Sequence, residues 1–70
     1  MRTTLINAIA HSIAYDCTAE VDVDGDLFDA LAELASCVDD YDHTTDANGD
    51  LDVWGQDDDG CSFRVILRAA

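Results

Sequence analysis

The chain has 70 residues, enough for one domain with a small core and little room for an enzyme's separate scaffold and catalytic cleft. Hydrophobic residues make up 49% of it, which excludes a disordered acidic tail, while 16 acidic residues against 3 basic ones set the formal net charge at −13. Every acid except Glu20 and Glu33 is Asp and there is no Lys, so direct binding to nucleic acid or to an anionic membrane surface is excluded by like charge.

The first predicted element is an amphipathic helix from Thr3 to about Tyr15. In it Leu5, Ile6, Ile9 and Ile13 recur at helical spacing, and Thr3 or Thr4 stands where an N-cap belongs. From Thr18 the period shortens to two: Ala19, Val21 and Val23 alternate with Glu20, Asp22 and Asp24 until Gly25, the pattern of a short half-buried strand. Asp26 is placed to cap a second helix whose apolar stripe is Leu27, Leu31, Leu34, Val38 and Tyr41. That helix would run out in Asp39, Asp40 and Asp42, where carboxylates oppose the negative end of the helix dipole and so point to function over stability.

His43 to Asp50 is polar, carries Asn48-Gly49 and is predicted as a loop. Leu51–Gln56 and Cys61–Arg68 follow as the strands of a hairpin joined by Asp57-Asp58-Asp59-Gly60. Cys61, Phe63, Val65 and Leu67 share its core face, and Ser62, Arg64, Ile66 and Arg68 the other.

No internal repeat, proline or Gly/Ser linker divides the chain. The expected architecture is a single α+β domain over residues 1–70, two helices packed on a small antiparallel sheet in the order helix, strand, helix, strand, strand. Its expected core is Ile9, Ile13, Leu27, Leu31, Leu34, Val38, Phe63, Val65 and Leu67. The plain Met-Arg-Thr-Thr start and apolar runs too short for a bilayer lead to the expectation of a cytoplasmic protein. Cys17, Cys37 and Cys61 are odd in number and widely spaced, so they frame neither disulfides nor a zinc site and are expected to be buried free thiols.

The acids fall into two groups: Asp16, Glu20, Asp22, Asp24, Asp26 and Asp29, and then those from Asp39 through Asp59. On a strand, alternate side chains stand about 6.6 Å apart, close to the spacing of successive phosphates in a nucleic acid, so Glu20, Asp22 and Asp24 could imitate a short backbone. Asp serves imitation better than Glu because its short side chain loses less rotamer entropy when bound. A generic solvated acidic face, or adaptation to high salt, accounts for the same composition.

Calcium is the sharper rival, since Asp46-Ala-Asn-Gly-Asp50 resembles the middle of an EF-hand loop. With Gly49 in sixth place, however, Thr44 stands first and Gly55 twelfth, so the first carboxylate and the bidentate Glu are both missing. The loop around Gly25 has an acceptable Glu20 first but fails with Leu31 twelfth, where the bidentate Glu should stand. No metal or other cofactor is expected. His11 and His43 are the only candidates for a general base near neutral pH, and no spacing pairs either with Ser12, Cys37 or an acid, so no enzyme is expected. Trp54, pointing away from Leu51 and Val53, could anchor an otherwise electrostatic interface with Tyr15 or Tyr41 nearby.

In small size, Asp load, absence of lysine and a pattern of two helices plus a hairpin, the chain resembles the phage-encoded anti-CRISPR proteins that act as DNA mimics, in particular those directed at type I systems, subtype I-C among them. The residues carrying the resemblance are Glu20, Asp22, Asp24 and the acids from Asp39 to Asp59. These inhibitors share no diagnostic motif, so the likeness is one of overall character. It implies a monomeric, non-enzymatic inhibitor in the host cytoplasm, without a cofactor, that blocks the DNA channel of a Cascade-type effector complex or another basic DNA-binding protein. The partner-binding residues would be Glu20, Asp22, Asp24, Asp26, Asp39, Asp40, Asp42, Asp46, Asp50, Asp52, Asp57, Asp58 and Asp59, with Trp54. A small acidic protein of a salt-adapted organism, or an acidic adaptor for a basic partner, is the other reading of the same sequence.

Overall fold

In the computed structural model, residues 1–70 form two helices, α1 (Arg2–Tyr15) and α2 (Leu27–Ala35), and four strands, β1 (Ala19–Val23), β2 (Asp40–Thr45), β3 (Leu51–Gln56) and β4 (Ser62–Ala69). The α+β class and the order of elements are those read from the sequence, with β2 added between α2 and the hairpin. The sheet order is β1-β4-β3-β2. β2–β3 and β3–β4 are antiparallel, while β1 lies parallel to β4, so the sheet is mixed. The parallel pair follows from the connection: α2 carries the chain back over the sheet, so β2 runs with β1, and two hairpin turns then bring β4 into the same direction beside β1.

Both helices pack on one face of the sheet around thirteen buried apolar residues, with Leu5, Leu34, Val53, Val65 and Leu67 fully excluded from water. Ile9, Leu31, Leu34, Phe63, Val65 and Leu67 of the expected core are buried, and Ile13, Leu27 and Val38 pack half-buried against it. In β1 and β3 the alternation seen in the sequence becomes alternating burial, Ala19, Val21 and Val23 inward with Glu20 and Asp22 outward.

Three local expectations are corrected. α2 stops at Ala35, where the Ser36 hydroxyl donates to the Glu33 carbonyl at 2.7 Å and the Cys37 amide turns back to the Leu34 carbonyl at 2.9 Å. Asp39, Asp40 and Asp42 therefore do not crowd a helix C-terminus: Asp40–Thr45 is a strand because it pairs along its whole length with β3, and His43–Thr45 is not a loop. The helical spacing of Val38 and Tyr41 yields to that pairing. α1 begins at Arg2 with no side-chain cap, so neither Thr3 nor Thr4 has that role. Cys17 and Cys61 are exposed and Cys37 half-buried, all three free: Cys61 falls one residue short of β4, so strand alternation does not carry it inward.

No helix is long and apolar enough to cross a membrane.

Candidate acidic interface

Because the helices cover one sheet face only, the outward residues of all four strands form an open surface. Its rows follow from the register: Asp42 beside Trp54 beside Arg64 in one, and Thr44, Asp52, Ile66 and Glu20 in the next. Asp40 stands opposite Gln56, and Asp22 opposite Arg68. Glu20, Asp22, Asp40 and Asp42 stand on the two edge strands, Asp52 on the interior strand β3 and the arginines on the interior strand β4.

Those arginines are spoken for. Arg64 grips Asp52 through two guanidinium nitrogens, Nε to Oδ1 at 2.9 Å and the second to Oδ2. This paired hydrogen bonding is the main force holding the Asp52 carboxyl below its ordinary range, against the opposing effect of its partial burial, and it raises Arg64 in turn. Arg68 reaches Glu20 at 3.5 Å and Asp50 at 3.9 Å. The centre of the sheet face is thus locally neutralised, while Asp22, Asp40 and Asp42 at its edges have no basic group within 4.0 Å.

Several acids at the turns have structural work. Asp26 caps α2 by accepting the Phe28 amide at 2.8 Å. Asp46 and Asp57 build two loops of the same design. In each the carboxylate Oδ1 accepts the amides two and four residues on, Asn48 and Asp50 at 2.9 and 3.0 Å, and Asp59 and Cys61 at 3.0 and 2.8 Å. In each a glycine at the fourth position takes a positive φ, 83° at Gly49 and 81° at Gly60. The EF-hand likeness of residues 46–50 is accounted for by this turn, in which Asp46 Oδ1 holds two backbone amides. No group of three or more metal-ligating side chains converges elsewhere.

The fourteen residues expected at the interface are therefore not one patch. Glu20, Asp22, Asp40, Asp42, Asp50, Asp52 and Trp54 share the open sheet face or its margin; Asp24 and Asp26 lie in the turn into α2, Asp39 leads into β2, Asp46 lies in the β2–β3 loop and Asp57–Asp59 in the β3–β4 loop. Trp54 is 37% exposed, between Asp42 and Arg64. Tyr41 is on the opposite side of its strand, so it does not flank Trp54 there. Of the two histidines, His11 stacks on Tyr15 on the surface of α1, and His43 meets the edge of the Phe28 ring.

Sequence reading missed the neutralising register of Arg64 with Asp52, which needs the β3–β4 pairing to be known. It also missed the repeated loop of Asp46 and Asp57, because Asp-x-x-Gly occurs four times in the chain, at 22–25, 46–49, 52–55 and 57–60, and the motif alone does not single out these two. No protein-family model matches the chain, and neither a curated protein nor a solved structure does.

Proposed function

We propose that the chain is a non-enzymatic inhibitor acting as an acidic DNA mimic, which occupies the DNA-binding site of a basic protein in the cytoplasm, with a Cascade-type CRISPR effector complex as the partner its character favours. One observation carries this reading: Glu20, Asp50 and Asp52 are the only acids with an arginine within 4.0 Å, and the rest face no countercharge. Crowded carboxylates of this kind weaken the compact state by mutual repulsion, and solubility asks for a net charge of only about 2 to 8 in magnitude. A Lys- and Arg-lined channel supplies the missing countercharge, and the same field steers the encounter.

The layout supports it in two ways. Glu20 with Asp22 on β1, and Asp40 with Asp42 on β2, make two short rows at the outer edges of the sheet. Three strand spacings separate them, about 14 Å, on the scale of the groove between two phosphate strands. Asp58 and Asp59, exposed at a turn held by Asp57, extend the charge beyond the sheet.

The test is a competition between the protein and labelled target duplex for a purified type I effector complex. Mutually exclusive binding supports mimicry. A stable ternary complex, with DNA retained, sinks it and favours an acidic adaptor.

A further inference from the structure

Beyond Arg2, α1 carries no charged side chain over its 14 residues, in a chain at −13. Leu5 and Ile9 of this helix are buried, but Ile6 is 44% exposed, Ala10 is exposed and Ile13 is half-buried. With Cys37, just beyond α2, these side chains floor a groove of about 230 Å³ whose remaining wall is Asp57, Asp58 and Asp59. No basic side chain lines it. The wall is built in place: Asp57 holds the amides of Asp59 and Cys61, which fixes the turn and leaves the Asp58 and Asp59 carboxylates exposed at the rim.

An apolar floor under an all-acidic rim selects its occupant by chemistry. The floor takes an aliphatic or aromatic side chain, and the rim takes cations on either side of it. An anionic lipid or a nucleic acid is repelled. A second copy of this chain has no such segment to offer, because its only apolar run between cations is Arg64 to Arg68, where Val65 and Leu67 are buried in the core.

We infer that this groove is an anchoring site for the protein partner, receiving one apolar side chain from a segment flanked by Lys or Arg. The inference rests on reading the chain as a binder of a basic protein surface, and it adds to that reading a contact no DNA could make. It also separates two sources of affinity: carboxylates elsewhere give attraction that salt screens, and the groove gives a contact that salt leaves in place.

The test uses the whole protein with its isoleucine methyl groups labelled for NMR, titrated in 0.5 M sodium chloride with two synthetic peptides of equal charge, Ac-GKKLKKG-NH2 and Ac-GKKSKKG-NH2. The leucine peptide is expected to shift the methyls of Ile6, Ile9 and Ile13, leave Ile66 on the open sheet face unmoved, and bind at least tenfold more tightly than the serine peptide. Ile6→Ser, at a position exposed enough to spare the fold, removes that advantage. Equal affinities, shifts spread to Ile66, no binding of either peptide, or octylammonium binding as tightly as the leucine peptide would each overturn the inference. None of these outcomes bears on competition with DNA, so mimicry stands or falls separately. Groove binding together with a ternary DNA complex would keep the anchor and discard the mimicry.

Discussion

Ser12 on α1 and Arg64 on β4, 52 residues apart, are joined by a 2.8 Å hydrogen bond from the Arg64 amide to the Ser12 hydroxyl oxygen. The same hydroxyl donates to the Cys17 carbonyl at 2.7 Å, so one buried polar side chain ties the helix end, the following turn and the start of β4 together. It does so because β1 begins only at Ala19, opposite Val65, and leaves the Arg64 amide without a strand partner on that side. Ser12→Ala should lower stability by about 1–3 kcal/mol, the penalty of burying polar backbone groups unpaired. Urea denaturation reads this directly, and an unchanged midpoint would mean that water replaces the hydroxyl.

Asp52 should report on pH, and the unpaired carboxylates on salt. Its folded-state carboxyl is held below the ordinary value of 3.8, chiefly by the hydrogen bonds from Arg64. The stabilisation it contributes is therefore complete above that value and is lost as pH falls through the depressed one. The stability gap between wild type and Asp52→Asn should be constant at neutral pH and close in strong acid. Repulsion among the unpaired acids is tested with salt: the wild-type melting temperature should rise between low salt and 0.5 M sodium chloride. A melting temperature that fell steadily with salt would show that ion pairs outweigh repulsion.

Period-two burial in residues 19–23 and 51–56, and the cap at Asp26 ahead of the Leu31 and Leu34 stripe, were legible in the sequence because each depends on local pattern alone. The β2 strand was not. Its residues 40–45 carry three polar or acidic side chains outward, and Tyr41, His43 and Thr45 on the other side, so they show little hydrophobic alternation; what makes them a strand is pairing with β3, a tertiary fact. The parallel placement of β1 against β4 was hidden for the same reason. At the candidate interface the acids themselves were plain, but which were neutralised depended on register, and which served turns depended on loop geometry.

The two loops allow charge to be separated from structure. Asp57→Ala removes the acceptor for two backbone amides and should destabilise by about 1–2 kcal/mol, as loss of a cap does. Asp58→Ala removes the same charge from a side chain that holds no backbone group, and should leave the denaturation midpoint unchanged or slightly raised. Equal effects of the two would contradict the assigned role of Asp57.

Gly55 on β3 stands opposite Tyr41 of β2. A Cβ there would lie 2.1 Å from the Asp40 carbonyl oxygen and 2.6 Å from the Tyr41 Cα, both backbone atoms that cannot swing aside. Gly55→Ala should cost at least about 1–3 kcal/mol and peel β2 from the sheet, seen as loss of amide-exchange protection in residues 40–45 with β1 and β4 intact. Retained protection there would show that the edge strand shifts to accommodate the methyl.

The central claim is that these carboxylates displace DNA by position as well as by total charge. The decisive measurement is competition of labelled duplex for a type I effector complex by three variants of equal net charge: Asp22→Lys with Asp24→Lys, Asp40→Lys with Asp42→Lys, and Asp29→Lys with Glu33→Lys on α2. At least one of the first two pairs should weaken inhibition by more than the tenfold that corresponds to ~1.4 kcal/mol, while the α2 pair should cost much less. Inhibition that survives both the Asp22/Asp24 and the Asp40/Asp42 reversals, or that falls equally in all three variants, would contradict the account.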